Sequence, residues 1–406
     1  MMIIVQISNQ AGLFQFLSIK LIMLSQGKPL RLMVIFCTLT IIIAAFLNNL
    51  LAVIILIPLT ITVSRILNID PTPYILTEAI LVNIGSTIFL ISAIPSIMIT
   101  SYANISFIEF FLNVGLLSLI IFGFTLIFFI FLYKNELIIP KGGFDVIKEF
   151  NAWNLVQNKI LLYECISAII ILMALFILIP SSLITPDMIA LSVAIVLMIV
   201  SRLEVKELIS KIDLELIFYL LGIFIISGAL DILGVTTAIG KELSNIGGGN
   251  ILLQIIFILW ISAFLSSTID NIPITRVLIP VVDSMTEGNS ESFKKLAFYS
   301  LAIGANWGDN LTPLGDNILV LNISEQNKRP ISFKLFFKLG FITTIYQLSI
   351  ITIIYILIFE LLLGAIIILI LFLLFIFLYL LYIYGPKTIT IKIDGFITKF
   401  RNTIIK

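Results

Sequence analysis

Histidine is absent from this 406-residue chain, and cysteine occurs only twice, at Cys37 and Cys165. The lack of histidine excludes His-based zinc sites, Ser-His catalysis and His-based proton relays. Both cysteines lie in apolar segments, which predicts buried packing and not a disulfide framework. Because no nucleophile–base pair is evident either, we predict no catalytic residues and a protein that is not an enzyme.

Charge is also scarce, since 12% of the residues are charged and 60% are hydrophobic. A soluble domain of this size needs a far more charged surface. Apolar stretches of about 20 residues, the length that crosses a bilayer core, recur along the whole chain. The composition therefore predicts an all-α polytopic membrane protein in a lipid bilayer, with no nucleic-acid partner.

Helix breakers divide the apolar runs into membrane segments. Two pairs of short arms, 32–47 with 50–64 and 251–265 with 272–282, meet at polar tips. A long helix interrupted by polar residues follows each pair, at 75–100 and 296–323. The other predicted spans are 1–19, 113–133, 161–180, 186–201, 213–234, 339–359 and 361–384.

Each pair of arms is predicted to be a re-entrant hairpin, because 15 or 16 residues reach about 24 Å and a bilayer core measures about 30 Å. The alternative is that every arm spans the bilayer. With hairpins, twenty of the 24 Lys and Arg residues fall on one side, which the positive-inside rule makes cytoplasmic. Lys241, Lys294 and Lys295 then lie outside, Arg276 lies in the membrane, and the C-terminal tail is cytoplasmic.

The two halves of the chain align at a nearly constant offset of 222 to 226 residues. The aligned pairs are Gly12 with Gly234, Asn48-Asn49 with Asp270-Asn271, Ile57-Pro58 with Ile279-Pro280, Asn83-Ile84-Gly85 with Asn306-Trp307-Gly308, and Ile105-Ser106-Phe107 with Ile331-Ser332-Phe333. The first hairpin enters from the cytoplasm and the second from outside, so we predict two inverted repeats, each with a re-entrant hairpin and a broken transmembrane helix. Inverted repeats of this kind are typical of secondary transporters that work by alternating access.

These boundaries predict six parts. They are inverted repeat 1 (1–133), a cytoplasmic linker (134–160), two scaffold helices (161–201), inverted repeat 2 (202–359), an extra transmembrane helix (360–384) and a basic cytoplasmic tail (385–406). The second repeat follows two spans that have no counterpart ahead of Met1. We therefore expect the N-terminus to be clipped relative to the true start.

Polar backbone at membrane depth survives only where protein buries it or where it lines a cavity. Four segments meet this description: tip one (48–49), break one (83–96), tip two (266–275) and break two (306–317). The candidate substrate- and ion-binding residues in and beside them are Asn48, Asn49, Asn83, Gly85, Ser86, Thr87, Ser267, Thr268, Asp270, Asn271, Arg276, Asn306, Gly308, Asp309, Asn310, Thr312, Asp316 and Asn317.

The residue types in these segments favour ion chemistry. Carboxylate, amide and hydroxyl oxygens suit Na⁺, so we predict a Na⁺ site at Asp270, Asn271 and Asn306, with Na⁺ or H⁺ as the coupling ion and no other cofactor. The helix that begins after each tip directs unpaired N–H groups and its positive dipole end to the same place, which suits an anion.

The acidic residues at membrane depth are functional candidates because an ionised Asp there is costly. For Asp270, Asp309 and Asp316 the alternative is that they cap helix ends. Arg276 either binds a substrate anion or neutralises an Asp. Four further acids sit nearer the predicted helix ends and are interpreted as interfacial: Glu78, Glu164, Asp231 and Glu360.

Four motifs carry a resemblance to a known family. They are AAFLNNLLAVIILIPLTI (44–61), EAILVNIGSTIFLISAIPSIMI (78–99), SAFLSSTIDNIPITRVLIPVV (262–282) and LAIGANWGDNLTPLGDNILVLNI (301–323). At these motifs the chain resembles the arsenite-permease and citrate-transporter-like branch of the ion transporter superfamily, which includes sodium/proton antiporters and the P protein. The likeness covers nearly all of residues 1–350. It implies a homodimeric carrier in which the tips and breaks form the sites and shift like an elevator.

The chain departs from that family's usual pattern at several motif positions. Tip one reads Asn48-Asn49 where Asp-Asn is usual, and residues 92–96 replace Gly-Asp-Pro-Pro-Asn. Arg276 stands where a small or hydroxylated residue is usual, and Asp309 and Asp316 stand where glycine or small residues are common. The first half has thus lost acidic groups and the second has gained them.

Three functions remain open at this point. The leading hypothesis is a permease, ion-coupled or uniport, for a small anion such as arsenite, another oxyanion or a carboxylate. The second is a sodium/proton antiporter in which Asp309 and Asp316 carry the ions. The third is a non-transporting membrane scaffold with a degenerate site.

Overall fold

Helices make up the regular structure of the part of the chain that the computed structural model describes, and no β-strand occurs there. The described residues are 2–25, 28–134, 137, 152–156, 158–179, 183–210, 214–244, 250–315, 317–384 and 387–405. The helices are α1 (Met2–Gln10), α2 (Leu13–Met23), α3 (Pro29–Phe46), α4 (Asn49–Leu67), α5 (Thr72–Gly85), α6 (Ile94–Tyr102), α7 (Phe107–Tyr133), α8 (Lys159–Leu178), α9 (Pro186–Val200), α10 (Val205–Ser210), α11 (Leu214–Ile232), α12 (Val235–Ser244), α13 (Ile251–Ser266), α14 (Asn271–Met285), α15 (Glu291–Gly308), α16 (Asn317–Gln326), α17 (Phe333–Phe359), α18 (Leu361–Tyr384) and α19 (Lys387–Ile405).

Several of the described helices are long and apolar enough to cross a bilayer. Five meet this criterion by length and composition: α3, α4, α7, α8 and α17. A sixth span results if the bent pair of α11 and α12 crosses as one unit. The prediction of an all-α polytopic membrane protein is confirmed.

The most deeply buried helices are the two that precede the breaks. Every residue of α5 from Tyr74 to Gly85 is buried, and α15 is buried from Ala297 to Gly308. Helix α5 packs on α3 and α4, and α15 packs on α13 and α14. By contrast, apolar side chains of the outer helices are exposed, for example Leu178 on α8 (75%), Ile225 on α11 (73%) and Leu362 on α18 (78%). Such an apolar exterior suits lipid.

The helix lengths correct one argument made from the sequence. Helices α3 and α4 contain 18 and 19 residues and therefore reach about 27 and 28 Å. The first pair of arms is thus not too short to cross, whereas α13 and α14 contain 16 and 15 residues. The re-entrant course of the arms stays a prediction.

Two other segments also differ from their predicted form. The span predicted at 1–19 is two helices, because Gly12 adopts a positive φ of 78° and ends the first one. The predicted basic tail forms helix α19, which Arg401 joins to α7 by a hydrogen bond of 2.7 Å to the carbonyl of Phe131. Most of the predicted linker 134–160 lies outside the described residues, but Ala152–Leu155 forms a 3₁₀ turn beside α2.

Corresponding positions of the two predicted repeats share local features. Gly12 and Gly234, aligned at offset 222, both have positive φ, of 78° and 73°. Pro58 lies inside α4 and its partner Pro280 lies inside α14. These correspondences agree with the predicted register. The inversion of the two repeats in the membrane stays a prediction.

A cluster of charged side chains ties α6 and α7 of the first half to α14 and α15 of the second. Asp283 accepts a hydrogen bond of 2.9 Å from the hydroxyl of Tyr102 and forms an ion pair with Lys294. Lys295 contacts both carboxylate oxygens of Glu109, at 2.9 and 3.1 Å. These links hold the two halves together at the end of the fold that carries the basic residues predicted to lie outside.

Candidate functional site

Tip one connects α3 to α4 and places two asparagines in different roles. Asn48 is the N-cap of α4, and its Oδ1 accepts a hydrogen bond of 2.9 Å from the N–H of Leu51. This is the role for which asparagine is preferred at helix starts. Asn49 is the first residue of the helix and is buried. Its amide is therefore free to bond deeper in the protein.

A chain of buried amides runs from tip one through both breaks. Asn49 Nδ2 donates to Asn83 Oδ1 at 2.6 Å, and Asn83 Nδ2 donates to Asn310 Oδ1 at 2.7 Å. Asn310 Nδ2 then donates to the carbonyl of Ile80 on α5 at 2.9 Å. Three residues that are distant in sequence thus lie in one hydrogen-bonded line that joins the two predicted repeats.

Tip two and break two are joined through the buried carboxylate of Asp309. Its Oδ1 accepts from Ser266 Oγ and its Oδ2 from Asn271 Nδ2, both at 2.7 Å. Asn317 Nδ2 donates to the backbone carbonyl of Asp309 at 2.8 Å. Thr312 donates from its hydroxyl to the carbonyl of Ser267. The geometry therefore gives Asp309 a role in fixing tip two against break two.

Three buried oxygens near tip two and break two receive no hydrogen bond. They are Oδ1 of Asp270, Oγ1 of Thr275 and Oδ1 of Asn306. Asp270 Oδ2 accepts from the Tyr219 hydroxyl at 3.3 Å, and Asn306 Nδ2 donates to the carbonyl of Ala302 at 2.7 Å. Buried oxygens without a donor are the kind of group that a hard cation such as Na⁺ can satisfy.

Several other predicted site residues form hydrogen bonds at helix ends or allow two helices to pack closely. The hydroxyls of Ser86, Thr87, Ser267 and Thr268 each donate to a carbonyl three residues earlier. A Cβ at Gly85 would lie 2.7 Å from Ala44 Cβ, and one at Gly308 would lie 2.3 Å from the carbonyl oxygen of Ala263. The two glycines therefore allow α5 and α15 to approach α3 and α13 closely.

Arg276 and Asp316 complete the predicted set. Arg276 is half-buried on α14, with its guanidinium 5.2 Å from the centre of the Phe224 ring on α11 and its Nε buried without a partner. Asp316 lies outside the described residues.

A small pocket lies where the starts of three helices meet. Its volume is about 30 Å³, and it is lined by residues 48–50, residues 92–95 and the pair Asn271-Ile272. These are the N-terminal ends of α4, α6 and α14, so both predicted repeats contribute. The first N–H groups of a helix have no intrahelical acceptor, and the helix dipole is positive there. The pocket thus offers partial positive charge without any Lys or Arg in its lining.

The sequence profile of the citrate transporter family (CitMHS) matches this chain over residues 1–304 and 184–398. The chain belongs to the citrate transporter family. It is a multi-pass membrane transporter and not an enzyme, and the resemblance inferred from the four motifs is confirmed.

Related proteins agree with this family membership. The chain is similar to a 46 kDa membrane protein of Mycobacterium leprae, with 28% identity over 86% of this chain and 82% of the relative. It is also similar to an uncharacterised transporter of Mycobacterium tuberculosis, with 29% identity over the same shares. The P protein of Mus musculus shares 24% identity over 84% of this chain and 50% of its own length.

One acidic residue of this transporter was misplaced by the sequence analysis. Glu78 was interpreted as interfacial, but it is fully buried on α5, where its Oε1 accepts a hydrogen bond of 2.6 Å from the Thr60 hydroxyl. A sequence signal could have identified it, because Glu78 lies inside an apolar run that begins three residues earlier, at Ile75. Within the described residues, the first half of the chain therefore keeps a deeply buried acid at Glu78.

Proposed function

We propose that this transporter moves a small anion, such as a carboxylate, arsenite or another oxyanion, through the pocket between the two tips. Na⁺ or H⁺ is the coupling ion, and the two inverted repeats give alternating access in a homodimer whose C-terminal tail is cytoplasmic. The observation that carries the proposal is the meeting of three helix N-termini, from both halves, at one pocket.

Anion binding follows from the backbone at this pocket. Helices α4, α6 and α14 each begin there, and a partial charge of about +0.5 at a helix start attracts negative charge. Pro95 lacks an N–H group, so α6 contributes fewer donors than α4. An anion held by backbone N–H groups needs no Arg, which agrees with the position of Arg276 against Phe224 on α11 and outside the pocket lining.

Cation binding is supported by the unsatisfied oxygens around the same tips. Asn49 Oδ1 at the pocket is buried without a partner, and so are Asp270 Oδ1, Thr275 Oγ1 and Asn306 Oδ1. Thr275 follows Asn271 by four residues and lies on the same face of α14. A cation held by such oxygens would lie near the bound anion and offset its charge.

The hydrogen-bond networks support movement of the tips and breaks as one body. The amide chain joins tip one to both breaks, and Asp309 joins tip two to break two. An elevator-like shift keeps such buried bonds intact, whereas opening a path between the tips would break them.

The antiporter hypothesis is favoured less by the geometry. It assigns ion exchange to Asp309, yet both oxygens of this carboxylate already accept hydrogen bonds from Ser266 and Asn271. An ion bound there would share these oxygens with the two donors, whereas Oδ1 of Asp270 has no donor to share.

Purified protein in liposomes tests the proposal directly. Labelled carboxylates and oxyanions are added outside under an imposed Na⁺ or pH gradient, and we expect one of these anions to accumulate above the level in empty vesicles. Asp270→Asn should abolish that accumulation, whereas the matched control Asp187→Asn, at an exposed position on α9, should not. A change of internal pH on a Na⁺ jump without any anion would show an antiporter, and flux equal to that of empty vesicles would show a scaffold.

A further inference from the structure

The carboxyl of Glu78 is enclosed by protein and only half satisfied. The residue has no exposed surface, and Oε1 accepts the hydrogen bond from Thr60 on α4. Oε2 is buried and has no hydrogen-bond partner. None of the functions assigned to the tips or breaks uses this group.

No cation neutralises Glu78 within the part of the chain that the structure describes. Its titratable neighbour is Cys37 on α3, a buried thiol. Seven of the described elements pack against α5, and their titratable groups are as follows. They are Arg31 and Cys37 on α3, Arg65 on α4, Glu109 and Tyr133 on α7, Asp309 in the 3₁₀ turn that follows α15, Glu291, Lys294, Lys295 and Tyr299 on α15, Glu325 on α16, and Lys334, Lys338, Tyr346 and Tyr355 on α17. None of them forms a hydrogen bond or ion pair with the Glu78 carboxyl. An ionised carboxylate is costly in such surroundings, and a neutral carboxyl is not.

The Thr60 hydroxyl can serve Glu78 in both protonation states. A hydroxyl is a donor and an acceptor, so it can donate to the carboxylate or accept from the protonated carboxyl. A proton can therefore bind to and leave Glu78 without loss of the 2.6 Å contact. Only an O–H bond of the carboxyl forms or breaks in this step.

Two buried hydroxyls on one face of α4, those of Thr60 and Ser64, lie between Glu78 and the C-terminal end of that helix. Ser64 follows Thr60 by four residues, on the same face of the helix, and is fully buried with an unpartnered hydroxyl. The next residue, Arg65, lines an open basin of about 500 Å³ together with residues 326–329. This basin lies on the side that the charge distribution predicts to be cytoplasmic.

Helix α5 carries both Glu78 and a residue of the amide chain that reaches the proposed anion pocket. Asn83 lies five residues after Glu78 on α5, about 7.5 Å along the helix axis. It bonds to Asn49, which lines the pocket. At the aligned positions of the second half, Thr60 and Glu78 are replaced by Val282 and Leu301, both buried. The arrangement is therefore unique to the first half.

We propose that Glu78 is a proton-binding site of the carrier, loaded from the basin at Arg65 through Ser64 and Thr60, and that its proton is the coupling ion. This inference deepens the proposed function and rests on it, since coupling presupposes transport.

The test compares Glu78→Gln with Glu360→Gln, an exposed glutamate at the end of α17, in liposomes. Glutamine keeps the size of the side chain and an acceptor for Thr60 but cannot release a proton. We expect Glu78→Gln to lose anion accumulation driven by a pH gradient and to retain exchange of labelled for unlabelled anion without a gradient. Glu360→Gln should retain both. Gradient-driven accumulation by Glu78→Gln at the wild-type level would overturn the proposal.

A second measurement decides the proposal without transport. Infrared difference spectra between acid and alkaline pH should show the C=O band of a protonated carboxyl in the wild type that Glu78→Gln lacks and Thr60→Val shifts. If Glu78→Gln does not fold, the C=O band of Thr60→Val replaces it as the test. A shifted band supports a proton on Glu78, and an unshifted band counts against it. If the wild type exchanges no anion, the proposed function fails, while a band assigned to Glu78 still supports proton binding there.

Discussion

Substitution of Asn83 by alanine is the sharpest test of the buried amide chain. Asn83 is 1% exposed and makes two side-chain hydrogen bonds, at 2.6 Å with Asn49 and 2.7 Å with Asn310. Alanine removes both and leaves a buried donor on Asn49 and a buried acceptor on Asn310. Each orphaned group costs about 1–3 kcal/mol, so we expect the free energy of unfolding to fall by about 2–6 kcal/mol.

The matched control is Asn113→Ala. Asn113 also donates from its amide, at 2.8 Å to the carbonyl of Glu109, but it is exposed on α7. Its loss leaves no buried side-chain group without a partner, so we expect a change below about 0.5 kcal/mol. Both variants are compared with the wild type by denaturant titration in detergent, with tryptophan fluorescence as the probe. Equal destabilisation by Asn83→Ala and Asn113→Ala would refute the reasoning.

A double-mutant cycle isolates the bond between tip one and break one. Asn49→Ala and Asn83→Ala remove opposite ends of the same contact, so the double variant should lose less stability than the sum of the two single variants. The expected coupling is about 0.5–3 kcal/mol for residues in direct contact. Additive losses would show that the 2.6 Å contact contributes nothing.

Three further predictions follow from the packing and charges. Gly308→Ala should destabilise the protein by about 1–3 kcal/mol in the same titration, because its Cβ would lie 2.3 Å from a carbonyl oxygen of α13. The control Gly123→Ala places a Cβ where nothing lies within 4 Å and should stabilise the protein by up to about 1 kcal/mol. A larger loss of stability in Gly123→Ala than in Gly308→Ala would contradict the close approach of α15 to α13. Lys295→Ala should lower the free energy of unfolding by less than about 1 kcal/mol, because the ion pair of Lys295 with Glu109 is partly exposed. This loss of stability should be smaller at high salt. A loss that does not depend on salt would exclude the ion pair as its cause. Arg276→Gln should leave the KM for the transported anion unchanged, and a large rise in KM would place this guanidinium at the substrate.

The four polar segments were predictable from sequence because lipid forbids polar backbone that nothing buries. Asn48, Asn49 and Asn271 do line one pocket, as their positions at the tips predict. The bonds between the segments were not predictable. Which amide reaches Asn83, for instance, depends on the relative rotation of α4 and α5, and hydrophobic periodicity does not specify that rotation when a helix is apolar on all sides.

Residue type alone also fails to separate ligands from structural groups. Serine and threonine at a break can hold an ion or satisfy the last carbonyls of a helix, and Ser86 and Thr87 do the latter. Glu78 shows the opposite error, because its position near the start of an apolar run suggested an interface. Helix α5 begins at Thr72 and is covered by neighbouring helices from Tyr74 onward, so the carboxyl lies inside the protein.

A pocket built from helix starts also suits the release of a substrate. Each helix dipole contributes about 0.3–1 kcal/mol to the binding of an anion, and an arginine at the same place would add the attraction of a full charge. Three helix starts can therefore select a negative charge without holding it as tightly as an arginine pair would. A carrier must both capture and discharge its cargo in every cycle. If the proposed cation binds beside the anion, it strengthens this moderate affinity, and the cation gradient then decides when the anion leaves. By the same argument, removal of the cation should lower the affinity for the anion by some factor. Removal of the anion should lower the affinity for the cation by the same factor.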